Sequence, residues 1–302
     1  MSADTRPSPP GTADTVRSRS RTWWSALRRT PATLWKDDIT DYAAALTYYA
    51  ILAILPSLLV TVLAFGLFSP DTAEQFIGGV TQYAPGESGT ELHGLLVGAL
   101  DRHAAAWPLL AAGTASALWS ASSYVAVFRR ALHHMLRVPD QRSTWRKAHR
   151  ILVTSFAMLL LLAVSALILI LTGPVVTSIG RLLHLDSAVP VVWSLLRWPL
   201  LLALVAILVV ILFRTGPAPT KDRRLSLPGG ALAAALWLTV SAGFAVYTSL
   251  LGTYSRLYGS LAGIVVFLIW LWLSNLALLT GAQLSAELHK GSAGREQDTP
   301  SG

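Results

Sequence analysis

Of 302 residues, 53% are apolar and only 13% are charged, about half of the roughly 25% that a water-soluble chain carries. With a mean hydropathy of +0.52, this excludes a soluble enzyme with one large core, a coiled coil and a disordered tail protein. Zero cysteines exclude a disulfide scaffold, a thiol nucleophile and a Cys-ligated zinc or iron–sulfur site. The net charge of +8 resembles a nucleic-acid signature until its positions are read. It is topological, and no nucleic-acid partner is expected.

In chain order, residues 1–20 read as a disordered cytoplasmic tail of Pro, Ser, Thr, Asp and Arg. The first 41 residues contain no apolar h-region and no small-residue cleavage site, so no signal peptide is expected. Trp23, Trp24, Leu27, Leu34 and Trp35 interleave with Arg28, Arg29 and Lys36. That pattern fits an interfacial amphipathic helix on anionic lipid, or a basic linker with tryptophans at headgroup depth. Six apolar stretches then pass the length test for a bilayer core of about 30 Å, or about 20 residues. They are 42–68, 107–128, 151–172, 191–213, 231–251 and 261–284. The second is small and polar rather than greasy, and stands because the flanking charges demand a crossing there. Residues 69–106 hold five carboxylates and two short apolar-periodic pieces separated by the GESGT turn at 86–90. These predict two short amphipathic extracytoplasmic helices over the outer mouth of the bundle. Residues 291–302 read as a second cytoplasmic tail, leaving 21–290 as the membrane domain.

Charge placement sets the orientation. Twenty of the 24 Lys and Arg precede the first stretch, lie between the second and third or the fourth and fifth, or follow the sixth. Arg102, Arg181, Arg197 and Arg256 fall on the alternate side. Cytoplasmic loops carry the positive excess. The expected fold is therefore all-α: a polytopic six-transmembrane-helix bundle in a bacterial cytoplasmic (inner) membrane, both termini inside. Its basic loops suit anionic headgroups. A homo-oligomer and unknown protein partners stay open.

No catalytic constellation is visible. The seven histidines form no HExxH, and no GxSxG elbow, Walker loop or GxGxxG occurs, so no enzyme activity, metal or cofactor is expected. His133 and His134 sit among arginines and read as headgroup contacts, as do Arg129 and Arg130. In the second stretch Ala112, Ser116, Ser120 and Tyr124 recur at i+4 steps, with Gly113, Ala117 and Ala121 on the next face. Such small residues either pack helices tightly or line a wet cavity. Ala231, Ala235, Thr239 and Gly243 repeat the device in the fifth stretch, so the two are expected to pack together. Arg197 either snorkels outward beside Trp193 and Trp198 or binds a phosphate or carboxylate inside the bundle. Asp37, Asp38 and Asp41 suit the positive end of the first helix. Gln283 and Glu287, one turn apart, read as a solvated helix end, with an inner-face polar pair as the alternative. Pro56 frees a carbonyl in mid-span and is a candidate hinge. Tyr254 and Tyr258 fit an interfacial belt.

The runs DDITDYAAALTYYAILAILP (37–56), ALWSASSYVAVFRRAL (117–132), RWPLLLALVAILVVILFR (197–214), LPGGALAAALW (227–237) and YGSLAGIVVFLIWLWLSNLALLTGAQLSAEL (258–288) together resemble the YihY/BrkB family of bacterial inner-membrane proteins. The resemblance covers about residues 22–288 and implies six membrane helices. Members were once labelled ribonuclease BN, but the HxHxDH motif such a metal-dependent nuclease needs is absent. Associations of the family with serum resistance and envelope lipid export imply transport of a lipid or envelope precursor. Gln283 stands where the resemblance leads one to expect Glu, which removes the carboxylate that a proton-coupled role there would need. The expected function is a transporter or translocase of an anionic amphiphile, contacted by Arg197, Ser116, Ser120 and Gln283. The alternative is a non-transporting scaffold that binds partner proteins or anionic lipid.

Overall fold

The computed structural model describes residues 37–68, 70–81, 88–101, 106–138, 143–170, 188–217, 223–250 and 255–297, together with Thr30. The elements are α1 (Ile39–Phe68), α2 (Pro70–Thr81), α3 (Ser88–Leu100), α4 (Ala106–Leu136), α5 (Thr144–Ile170), α6 (Ala188–Phe213), α7 (Arg223–Leu250) and α8 (Ser255–Gln297). No strand occurs among the described residues. The tail at 1–20, the Trp- and Arg-rich segment apart from Thr30, and Tyr254 lie outside them.

Among the described residues, five helices are long and apolar enough to cross a membrane: Ile39–Leu67, Trp145–Ile168, Leu195–Phe213, Leu227–Tyr247 and Gly263–Lys290. At most 17% of any of these windows is buried inside the protein, so their apolar surface needs lipid against it. The second expected span is missing from this set. α4 has 31 residues, about 46 Å of helix, but its Ala, Ser and Gly make it less apolar than its neighbours.

Side-chain pairs fix the directions. Tyr42 and His134 have ring centroids 6.1 Å apart, and a Cβ on Gly113 would lie 2.9 Å from Val60 Cγ2. α1 and α4 are therefore antiparallel. Thr47 meets Asn275 and Asp37 meets Gln283, so α8 is antiparallel to α1 and parallel to α4. At one end, which we call the basic end, Leu46, Phe128, Leu132, Met135, Met158, Leu212 and Leu279 close a core from α1, α4, α5, α6 and α8. Phe128 stacks on Phe213 there, with centroids 6.0 Å apart. At the opposite end Phe76 and Ile77 of α2 and Leu96 of α3 close over Val62. The two short helices thus form where the apolar-periodic pieces predict them, packed on α1.

α7 lies along α8 rather than α4, correcting the expected pairing of the two small-residue stripes. A Cβ on Gly229 would fall on the Gly281 carbonyl and Ser285 Oγ, and one on Gly281 would fall on the Gly229 carbonyl. Gly229 with Ala233, and Gly281 with Ser285, form a small-xxx-small crossing that lets the two backbones touch. Ala231, Ala235, Thr239 and Gly243 are exposed. They start two residues from Gly229, about 200° around the helix, and so face away. α1 runs through Pro56 without interruption. α8 continues to Gln297, past the expected end at 284 and into the stretch read as a tail.

Candidate functional site

Asn275 is an amide near the middle of a strongly apolar span, and it is 4% exposed. Its Oδ1 accepts from Tyr124 Oη at 2.8 Å, and its Nδ2 donates to Thr47 Oγ1 at 3.1 Å and to the Leu271 carbonyl at 3.0 Å. Thr47 Oγ1 in turn donates to the Ala43 carbonyl at 2.8 Å. Polar groups at this depth need partners, and this cluster satisfies them while stapling α1, α4 and α8 together. About two turns further along α8, Gln283 is fully buried and its Nε2 donates to Asp37 Oδ2 at 3.1 Å. A carboxylate only accepts, so the amide nitrogen must face it; Oε1 is buried without a hydrogen-bond partner. The solvated-end reading of Gln283 is thus corrected, because α8 continues beyond it and Asp37 packs over it. Glu287 pairs with Lys290 at 2.9 Å instead. Asp37 is a tertiary contact, whereas Asp38, at φ 48°, presents its carbonyl to the amides of Asp41 and Tyr42.

α4 stops at the basic end by a left-handed turn. Arg137 has φ 52°, its N–H reaches the His134 carbonyl at 3.1 Å, and that of Val138 reaches the His133 carbonyl at 3.2 Å. This pair of bonds is the Schellman closure, usually made with glycine at Arg137's position. His133 Nδ1 lies 2.9 Å from the Val138 carbonyl, so the turn also holds that ring. Beside it a cavity of about 670 Å³ opens between α1, α4 and α5. Arg129, Arg130, His133, His134 and Lys147 line it with Ser123, Tyr42 and Tyr49. Among the described residues no carboxylate lines it. Arg129 is 5% exposed, whereas Arg130 and His134 are exposed. The residues read as separate headgroup contacts therefore share one positively charged concavity, within the about 300–1,000 Å³ of small-molecule sites.

The face of α4 that reaches this cavity differs from the one its i+4 spacing suggests. Strict steps of four drift by about 40° each against a 3.6 period. Ala112 and Ser116 are thus exposed, Ser120 is buried and Tyr124 is half-buried inside the bundle. The uncovered face instead alternates steps of four and three: Ala112, Ser116, Trp119, Ser123, Ala126, Arg130. Its first three members are exposed, and its last three line the cavity. Gly113, Ala117 and Ala121 are buried, so that face is packing.

The four contact residues read from sequence are spread out. Asn275 is level with Tyr124, which puts Ser116 and Gln283 about 24 Å apart along the axes. Arg197 is half-buried and lies about 24 Å along α6 from Phe213, toward the end opposite the cavity. No single small headgroup reaches all four. Asn275, Thr47 and Lys147 carry no functional expectation from sequence, although an amide in the middle of an apolar span is itself a signal.

Comparison with known proteins places this bundle. The chain is similar to the ribonuclease-like protein YfkH of Bacillus subtilis, 28% identical over 82% of this chain and 89% of that one. It is 37% identical over 82 residues to a UPF0761 membrane protein of Xanthomonas oryzae, and 40% identical over 90 residues to another of Tolumonas auensis. Those stretches are 27% and 30% of this chain, and only 19% and 29% of the two relatives. No solved structure matches it significantly. The family described as virulence factor BrkB matches residues 30–301, a range that takes in every described helix, the staple and the cavity. This integral membrane protein belongs to the BrkB family.

Proposed function

We propose that the protein is a translocase of the bacterial cytoplasmic membrane that moves an anionic lipid or lipid-linked envelope precursor, with the basic cavity taking the headgroup. The observation that carries this reading is the concavity lined by Arg129, Arg130 and Lys147 in a membrane-spanning bundle. α4 serves as a sixth span, with both termini cytoplasmic. Its length supports this, as does the segregation of 20 of 24 Lys and Arg to one side. The cavity then opens toward the cytoplasm, and α2 and α3 lie outside. The headgroup follows the small, uncovered face of α4 past Ser123 and Ser116, while its tail stays in lipid beside Leu152, Val153 and Phe156, all exposed on α5. Arg197 meets it near the far side. Ser120 and Gln283 lie behind this face, and Pro56 is the hinge of the helix that flanks it.

The ribonuclease-like name of the Bacillus relative is not carried over. The sequence lacks HxHxDH, and among the described residues no three His, Cys, Asp or Glu side chains group as a metal site. A non-transporting scaffold on anionic lipid is the competing reading, favoured by Arg130, Arg137, Arg146 and Arg150, all exposed at the basic end. Solvent access separates the two. The chain has no cysteine, so single cysteines at Ser116, Ser123, Ala117 and Ala121 test it with a membrane-impermeant thiol reagent. A translocase labels at 116 and 123 but not at the buried 117 and 121. A scaffold labels at none of them.

A further inference from the structure

We infer that the basic cavity selects a phosphomonoester, a terminal phosphate carrying about two negative charges, over the singly charged phosphodiester of ordinary anionic lipids. The inference deepens the translocase reading and rests on it.

The lining supplies the argument. Three basic side chains converge from two helices: Arg129 and Arg130 from α4, and Lys147 from α5. Arg129 and Arg130 are neighbours, about 100° apart around α4. One is therefore buried in the wall while the other stands at the exposed rim, and they approach a ligand from different sides. Ser123, Tyr42 and Tyr49 add hydroxyl-bearing side chains, and His133 and His134 add two imidazoles. Among the described residues the lining offers no carboxylate to repel an anion.

A phosphomonoester brings a charge of about −1.5 to −2 and three terminal oxygens at neutral pH. That matches three cationic donors approaching from different directions, and guanidinium groups suit planar pairs of phosphate oxygens. A diester has two free oxygens and a single charge, and carbon substituents leave it on both sides. In the same concavity it offers the three basic groups one terminal oxygen fewer and about one negative charge fewer. Forfeiting one charge-assisted hydrogen bond corresponds to about tenfold or more in affinity. The apolar wall at Ile151 and Val138 leads onto the exposed apolar residues of α5, so the carbon side of the ester has an exit toward lipid.

The test uses the full chain, purified in a neutral detergent and titrated with short-chain phosphatidic acid, short-chain phosphatidylglycerol and inorganic phosphate, with bound lipid read by native mass spectrometry and tryptophan fluorescence. Phosphatidic acid is expected to bind about tenfold or more tighter than phosphatidylglycerol. Arg130→Gln with Lys147→Gln is expected to abolish the preference, Arg130→Lys with Lys147→Arg to keep it, and Arg146→Gln with Arg150→Gln, outside the cavity, to leave it unchanged. Size-exclusion profiles confirm that each variant is folded. Equal binding of the two lipids, or a preference that survives loss of the cavity charges, overturns the inference. Equal binding that still needs Arg130 and Lys147 overturns it while leaving the translocase reading intact. Inorganic phosphate binding as tightly as phosphatidic acid upholds the phosphate chemistry and overturns the lipid-translocase reading.

Discussion

Replacing Asn275 by Ala tests whether the buried amide holds three helices together. The substitution removes the bonds to Tyr124 and Thr47, from α4 and α1. Interhelical side-chain hydrogen bonds in membranes average about 0.6 kcal/mol and reach about 1.7, so two contribute about 1–3 kcal/mol. Thr47 keeps its bond to the Ala43 carbonyl. The Tyr124 hydroxyl has no such alternative, and leaving a buried donor unsatisfied adds about 1–3 kcal/mol. Reversible unfolding in mixed detergent micelles should show a loss of about 2–6 kcal/mol, with Tyr124→Phe alone costing about 1 kcal/mol. In the double variant the orphaned hydroxyl is gone, so the two losses should fall short of additivity by about 1 kcal/mol. Additivity within about 0.3 kcal/mol would mean that the hydroxyl and amide are not coupled, and the staple would be refuted.

Three further outcomes follow from the same packing. Gly281→Ala drives a methyl group into the α7 backbone and should cost at least about 3 kcal/mol or prevent folding, whereas Gly243→Ala, with nothing within 4 Å, should be neutral or stabilising by up to about 1 kcal/mol; thermal denaturation of the pair reads the contrast. Arg137→Gly should raise stability by about 0.5–1 kcal/mol by relieving the left-handed backbone, seen as a higher unfolding midpoint. Gln283→Met should cost about 1–2 kcal/mol, because the buried Asp37 carboxylate loses its donor, and this cost should shrink in an Asp37→Asn background.

Much of the architecture was legible because lipid imposes simple demands. Apolar length marked the helices from α5 to α8 and most of α1, and the helical spacing of Leu92, Leu95, Leu96 and Leu100 marked α3. Sidedness within a helix was harder. Composition shows that Ala231, Ala235, Thr239 and Gly243 are small, as are Gly229 and Ala233. Only the contact with Gly281 tells which set faces inward. The same limit hid the uncovered face of α4, where a four-residue spacing catches the eye but a 3.6-residue helix carries it from the surface at Ser116 to the interior at Tyr124. The basic residues near 129–150 were visible as charges. Their gathering around one cavity depends on α5 folding back beside α4, which no local pattern encodes. Gln283 was misread as solvated because the apolar run ends near it, while the helix itself continues to Gln297.

Lipid flux tests the central claim most directly. Proteoliposomes of phosphatidylcholine carrying a trace of fluorescent phosphatidic acid are exposed to a membrane-impermeant reductant, with and without an imposed potential. In protein-free vesicles only the outer-leaflet label is bleached. The account predicts that the wild-type chain brings the inner-leaflet label out to the reductant, and that Arg130→Gln with Lys147→Gln slows this about tenfold or more, while Arg146→Gln with Arg150→Gln does not. Flux no faster than in protein-free vesicles under either condition, or flux indifferent to the cavity charges, would contradict it.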